Sequence, residues 1–101
     1  MLSNTVEASD HAYKRARERL SWKPSTVDKM AIRAWVSGYT LSELSGGLRR
    51  WIEKKGEDYV ARYYRVYGEY LYIYGYSLGT ATLATVYNIP SEYVKLIPRG
   101  E

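Results

Sequence analysis

The chain has 101 residues, 46% hydrophobic and 26% charged, which fits one globular domain over 1–101 with a modest core. It has no cysteine and one histidine, which excludes disulfides, thiolate chemistry and the usual zinc sites; no metal or cofactor is implied. No signal peptide and no apolar run long enough to span a membrane is visible, so a cytoplasmic location is expected.

The net charge of +4 is unevenly spread. Residues 1–55 hold eleven basic and six acidic side chains, and residues 56–101 hold four and five. The first half therefore carries a positive field that attracts RNA or an acidic protein surface. Twelve tyrosines, three tryptophans and no phenylalanine make up the aromatic set. Tyrosine keeps a hydroxyl that wants a partner, so it suits half-wet surfaces and stacking platforms.

In chain order, Ser9 or Asp10 caps a first helix running to about Leu20, with Ala12, Ala16 and Leu20 as its packing stripe. Trp22-Lys23-Pro24 breaks the pattern. A second helix opens near Ser25, where Ser25 and Asp28 resemble a capping box, and runs to Gly38. Val27, Met30, Ala31 and Ala34 form its apolar stripe, with Trp35 beside it. Thr40 and Glu43 form a second capping box, which predicts a third helix with Leu41, Leu44, Leu48, Trp51 and Ile52 at helical spacing. Gly46-Gly47 weakens that helix and marks a kink or a close helix contact. Lys54, Lys55 and Gly56 end it.

Residues 62–67 and 70–74 then read as two strands joined by a tight Gly68-Glu69 turn. A second turn covers 75–79, and the β-branched run 80–89 reads as a third antiparallel strand that Pro90 stops. The tail from Ser91 is a fourth edge strand or a docked arm. The expected fold is α+β: three N-terminal helices on one face of a small antiparallel β-meander of three to four strands. Residues 1–56 form its helical half, and 57–101 its meander and C-terminal arm.

Strand alternation separates the hairpin into two faces. Tyr64, Val66, Leu71 and Ile73 form an aliphatic face that is expected to meet the helices. Tyr63, Arg65, Tyr67, Tyr70, Tyr72 and Tyr74 form the other, expected to look outward. An outward tyrosine–arginine face can stack bases and hold phosphate; the same residues can also form a cross-strand ladder or a homodimer interface.

His11 is the one side chain whose unperturbed pKa lies near 7. It shares a helix face with Arg15 and Glu18 at the edge of the alanine stripe. This allows acid–base work on a phosphodiester, with Lys14, Arg15 and Arg19 near the phosphates; a solvated histidine on a basic helix is the plain alternative. A helix-turn-helix is disfavoured because Arg49-Arg50 come late in the third helix.

Ser9, His11, Ala12, Arg15 and Arg19, with Arg65-Val66-Tyr67-Gly68 leading into Tyr70-Leu71-Tyr72-Ile73, and Ala81 to Pro90 before the tail, resemble small phage and plasmid proteins of the barnase–EndoU–colicin–RelE ribonuclease superfamily. The resemblance implies metal-free RNA cleavage, with His11 as acid or base. It also implies charge stabilisation by Arg15 and Arg65, and completion of the site by Tyr67 or Thr85. Lys14, Arg19, Tyr63, Tyr70 and Tyr72 would bind the nucleic acid. The alternative is a phage-type protein that blocks a host defence factor without catalysis.

Overall fold

The computed structural model describes residues 5–60 and 62–98. The protein is α+β, with a strand Thr5–Ala8 (β1), helices Asp10–Leu20 (α1), Pro24–Ser37 (α2) and Gly46–Lys55 (α3), strands Tyr63–Tyr67 (β2), Tyr70–Ser77 (β3) and Thr80–Asn88 (β4), and a short helix Ser91–Val94 (α4).

Helix α1 starts where Ser9 Oγ accepts from Ala12 N (3.1 Å). It stops at Ser21, which takes a left-handed φ of 58° and donates its N–H to Arg17 O (3.1 Å). Helix α2 starts at Pro24, whose missing N–H costs nothing at that position, rather than at a Ser25 cap. Asp28 instead accepts a hydrogen bond from the Tyr13 hydroxyl. The Thr40–Glu43 capping box is present, with Thr40 N donating to Glu43 Oε1 (2.7 Å), but it opens only the single 3-10 turn Leu41–Glu43. The chain then extends through Leu44 and Ser45, and α3 begins separately at Gly46. Gly47 is the close contact: a Cβ there would lie 2.8 Å from Tyr93 of α4.

The sheet is mixed, in the order β1-β4-β3-β2. The β2–β3 and β3–β4 pairs form the expected meander. The first hairpin turns at Gly68, whose φ is +63°, and the second at Leu78-Gly79, both with positive φ. The expectation of a purely antiparallel sheet fails at β1, which lies within the helical half and pairs parallel with Thr80–Leu83 of β4. Its four residues are too short to announce themselves, although Val6 and Ala8 alternate inward. A bulge between Ile73 and Tyr74 places Ile73 opposite Thr85 and Tyr74 opposite Leu83, so Ala84 is the extra residue.

Helices cover both faces, not one. Ala12, Ala16, Val27, Ala31 and Ala34 of α1 and α2 pack on Tyr72, Tyr74, Ala81, Leu83 and Val86. Leu48 and Ile52 of α3, with Leu44, pack on Tyr64, Val66, Leu71 and Ile73, and the tail from Tyr93 to Ile97 docks on this second core. The two hairpin faces therefore separate as the alternation requires, but the tyrosine face is inward. The alanine stripes explain this: small helix residues let α1 and α2 approach closely enough for tyrosines to fill the layer. Tyr72 and Tyr74 are fully buried.

Candidate functional site

Burial removes several expected nucleic-acid contacts. Tyr70 lies edge-on to Trp22, with ring centres 5.0 Å apart, and Tyr72 lies 6.4 Å from the same ring. Tyr74 donates its hydroxyl to Ala31 O (2.6 Å). Tyr67 packs partly buried against the first core. Tyr63 keeps an exposed edge beside Trp35 and Tyr76.

Arg65 is occupied by structure. Its Nε donates to Trp35 O (3.1 Å), its Nη1 donates to Tyr64 O (2.9 Å), and its guanidinium carbon lies 4.2 Å from the centre of the Trp35 ring. Burial pulls its pKa below the usual arginine value, with the Tyr74 and Glu43 charges opposing. It ties the edge strand β2 to the end of α2.

His11 and Arg15 remain together on the exposed side of α1. Arg15 Nε donates to His11 Nε2 (3.3 Å), and Arg15 Nη1 pairs with Glu18 Oε1 (3.0 Å). Helix α1 packs on β4, whereas Arg65 and Tyr67 belong to β2, two strands away. The four residues expected to be catalytic therefore do not form one site. Lys14 lines a separate shallow groove with Asp10, Tyr13, Arg17, Trp22 and Pro24.

A different constellation forms where α1, β4 and the end of α3 meet. β1 pairs only with Thr80–Leu83, so the following residues of β4 have an open edge. Arg19 reaches this edge from the last turn of α1. Its Nη1 donates to Thr85 Oγ1 (2.9 Å) and Val86 O (3.1 Å), and its guanidinium carbon stands 4.1 Å from the centre of the Tyr87 ring. The Nζ of Lys55 approaches the same ring from α3, at 5.2 Å. The strand period puts Thr85 and Tyr87 on one face, that of the second core.

Tyr59 completes the group. Burial raises its pKa first, and its hydrogen bond with Tyr87 adds to this; a hydrogen bond with Thr85 and the Arg19 charge pull the other way. The net effect is a phenol that stays protonated at neutral pH. Two cations therefore converge on one ring, with two hydroxyls and a phenol beside them. Neither Arg19 nor Lys55 makes an ion pair among the described residues, whose two salt bridges are Arg15–Glu18 and Arg49–Glu53. Arg19 is largely exposed, so donors not used by Thr85 and Val86 are open to a ligand.

Arg19 and Thr85 were legible in the sequence as candidates. Lys55, Tyr59 and Tyr87 were not, because they come from separate elements whose meeting depends on the docking of α3. No cluster of metal-ligating side chains occurs among the described residues, and no helix among them is long and apolar enough to cross a membrane. No protein-family model, curated protein or solved structure matches the chain.

Proposed function

We propose that the protein binds single-stranded RNA at the groove headed by Arg19, Lys55 and Tyr87, and cleaves it there by metal-independent transesterification. The observation that carries this reading is the convergence of Arg19 and Lys55 on Tyr87 without a carboxylate partner. Two like charges held over one ring repel each other, and a phosphodiester relieves that repulsion. Arg19 is pre-positioned by Thr85 and Val86, so little of its freedom is lost on binding.

In the cleavage step the 2′ hydroxyl attacks the adjacent phosphorus and loses its proton. The bond to the 5′ oxygen breaks, and that oxygen takes a proton. Arg19 and Lys55 hold the phosphoryl oxygens as charge builds. Tyr59, kept protonated by its surroundings, is the proton donor. His11 lies at the head of the same helix stripe, about 12 Å of rise from Arg19, and presents Nε2 as an acceptor. It is the group to take the 2′ proton as the strand runs along α1.

The test is incubation of labelled RNA with chelator present, comparing wild type, Arg19→Ala, Tyr59→Phe and His11→Ala. The reading expects products ending in a 2′,3′-cyclic phosphate, and loss of product of at least tenfold in each variant. Intact RNA with the wild-type protein refutes cleavage.

A second reading, a protein-interaction module, has its own observation. Ile32 and Val36 of α2 are 50% and 75% exposed on one helix face, beside the cluster Trp35–Tyr63–Tyr76. Aromatic and aliphatic anchors of this kind suit a protein partner. This reading expects Val36→Asp to abolish capture of a partner while leaving RNA cleavage unchanged.

A further inference from the structure

Beyond the Arg19–Tyr87 contact, the groove continues along the end of α3 and the turn after it. Its walls are Trp51, Lys54, Lys55, Glu57, Asp58 and Tyr87, and its volume is about 470 Å³. That size falls within the range that accommodates a small ligand.

The lining is not that of a phosphate site alone. Glu57 and Asp58 would repel a phosphate, yet they share the groove with Lys54 and Lys55. Among the described residues, neither carboxylate is paired with either lysine. The indole of Trp51 is half-buried, 6.3 Å from the Tyr87 ring, with Lys55 Nζ 5.9 Å from its centre. An aromatic wall, ammonium groups and hydrogen-bond acceptors within one groove match the three parts of a nucleotide. The ring packs the base, the ammoniums meet the phosphate, and the carboxylates meet N–H groups of the base.

The carboxylates also discriminate. An ionised carboxylate only accepts hydrogen bonds. The pairing edge of uracil sets one N–H between two carbonyl oxygens, which a carboxylate opposes. Cytosine, adenine and guanine each place an exocyclic amino group on that edge.

We propose that this groove is a nucleobase subsite, taking the base next to the phosphate held by Arg19 and Lys55 and favouring amino-bearing bases over uracil. This rests on the RNA reading above and adds its base selectivity.

The experiment is fluorescence anisotropy with labelled 2′-O-methyl hexamers of adenine, cytosine and uracil, which bind without being cleaved. The expected result is about fivefold tighter binding of the adenine and cytosine hexamers than of the uracil hexamer. In the Glu57→Gln/Asp58→Asn double variant the side-chain amides donate as well as accept, so the preference collapses while uracil binding holds or improves. Both positions are exposed, so the variant folds. Equal binding of all three hexamers by the wild type overturns the subsite and leaves the RNA reading standing. An adenine–cytosine preference that survives the double variant also overturns it. Binding to none of the three overturns both.

Discussion

The guanidinium of Arg19 stands 4.1 Å from the centre of the Tyr87 ring while its Nη1 donates to the neighbouring Thr85 Oγ1 and Val86 O. One side chain thus closes the stretch of β4 edge that β1 leaves open, and stays exposed enough to meet a ligand. Structural and binding roles coincide in this residue and separate on substitution. Arg19→Lys keeps the charge but loses the planar fork that serves two acceptors. Urea denaturation of Arg19→Lys and Arg19→Ala is expected to show losses of about 1 kcal/mol each. RNA affinity falls much further in the alanine variant than in the lysine variant.

The buried tyrosine pair yields opposite outcomes from the same chemical change. Tyr74 donates to Ala31 O, whereas the buried hydroxyl of Tyr72 has no hydrogen-bond partner among the described residues. Tyr74→Phe strands the Ala31 carbonyl and is expected to cost about 1 kcal/mol. Tyr72→Phe removes an unsatisfied group and is expected to be neutral or to stabilise by up to about 1 kcal/mol. Thermal or urea melts of the two variants check the difference in sign.

The same two residues set the alkaline limit of stability. Burial raises both pKa values, first by desolvation and then through neighbouring tyrosines, with Arg65 opposing at Tyr74. A folded-state pKa above the unfolded one means that the stabilisation is complete below the unfolded pKa, about 10 for tyrosine. It is lost as pH rises from there toward the folded value, because the unfolded chain releases its protons first. Stability is therefore expected to be flat in this respect from pH 7 to 9 and to fall above pH 10, each phenol contributing up to about 1.4 kcal/mol per pH unit. Tyr72→Phe removes one of them, so its alkaline unfolding curve is shallower.

Helix propensity and packing conflict at Gly47. Alanine is the better helix former by about 1 kcal/mol, but its Cβ would lie 2.8 Å from the Tyr93 ring. Gly47→Ala is expected to destabilise by about 1–3 kcal/mol. Adding Tyr93→Leu, which opens space over α3, recovers much of that loss. A double-mutant cycle on urea midpoints measures this coupling.

The sequence revealed those features that depend on local chemistry. Capping by Ser9, the Gly68 turn and the separation of the hairpin into two faces all follow from spacing and backbone preference. The outward tyrosine face was misread because alternation separates two faces without saying which helices cover each. Ala12, Ala16, Ala31 and Ala34 held the clue, since only small residues let helices approach a tyrosine layer. The Thr40–Glu43 box was identified correctly but extended too far, because Gly46 restarts the helix with a φ of +66°. The candidate site was half legible. Arg19 and Thr85 carry suitable groups wherever they sit, whereas Lys55, Tyr59 and Tyr87 acquire significance only when α3 docks on the second core.

The central claim is that Arg19 and Lys55 hold RNA phosphates, and the salt dependence of binding tests it most directly. The affinity of wild type and Arg19→Ala/Lys55→Ala for a 2′-O-methyl RNA hexamer is measured across a salt series. Each lost phosphate contact on a single strand lowers the slope of log affinity against log salt by about 0.7, so the double variant is expected to fall by about 1.4. An unchanged slope and affinity would contradict the claim and place the RNA, if it binds, elsewhere on the protein.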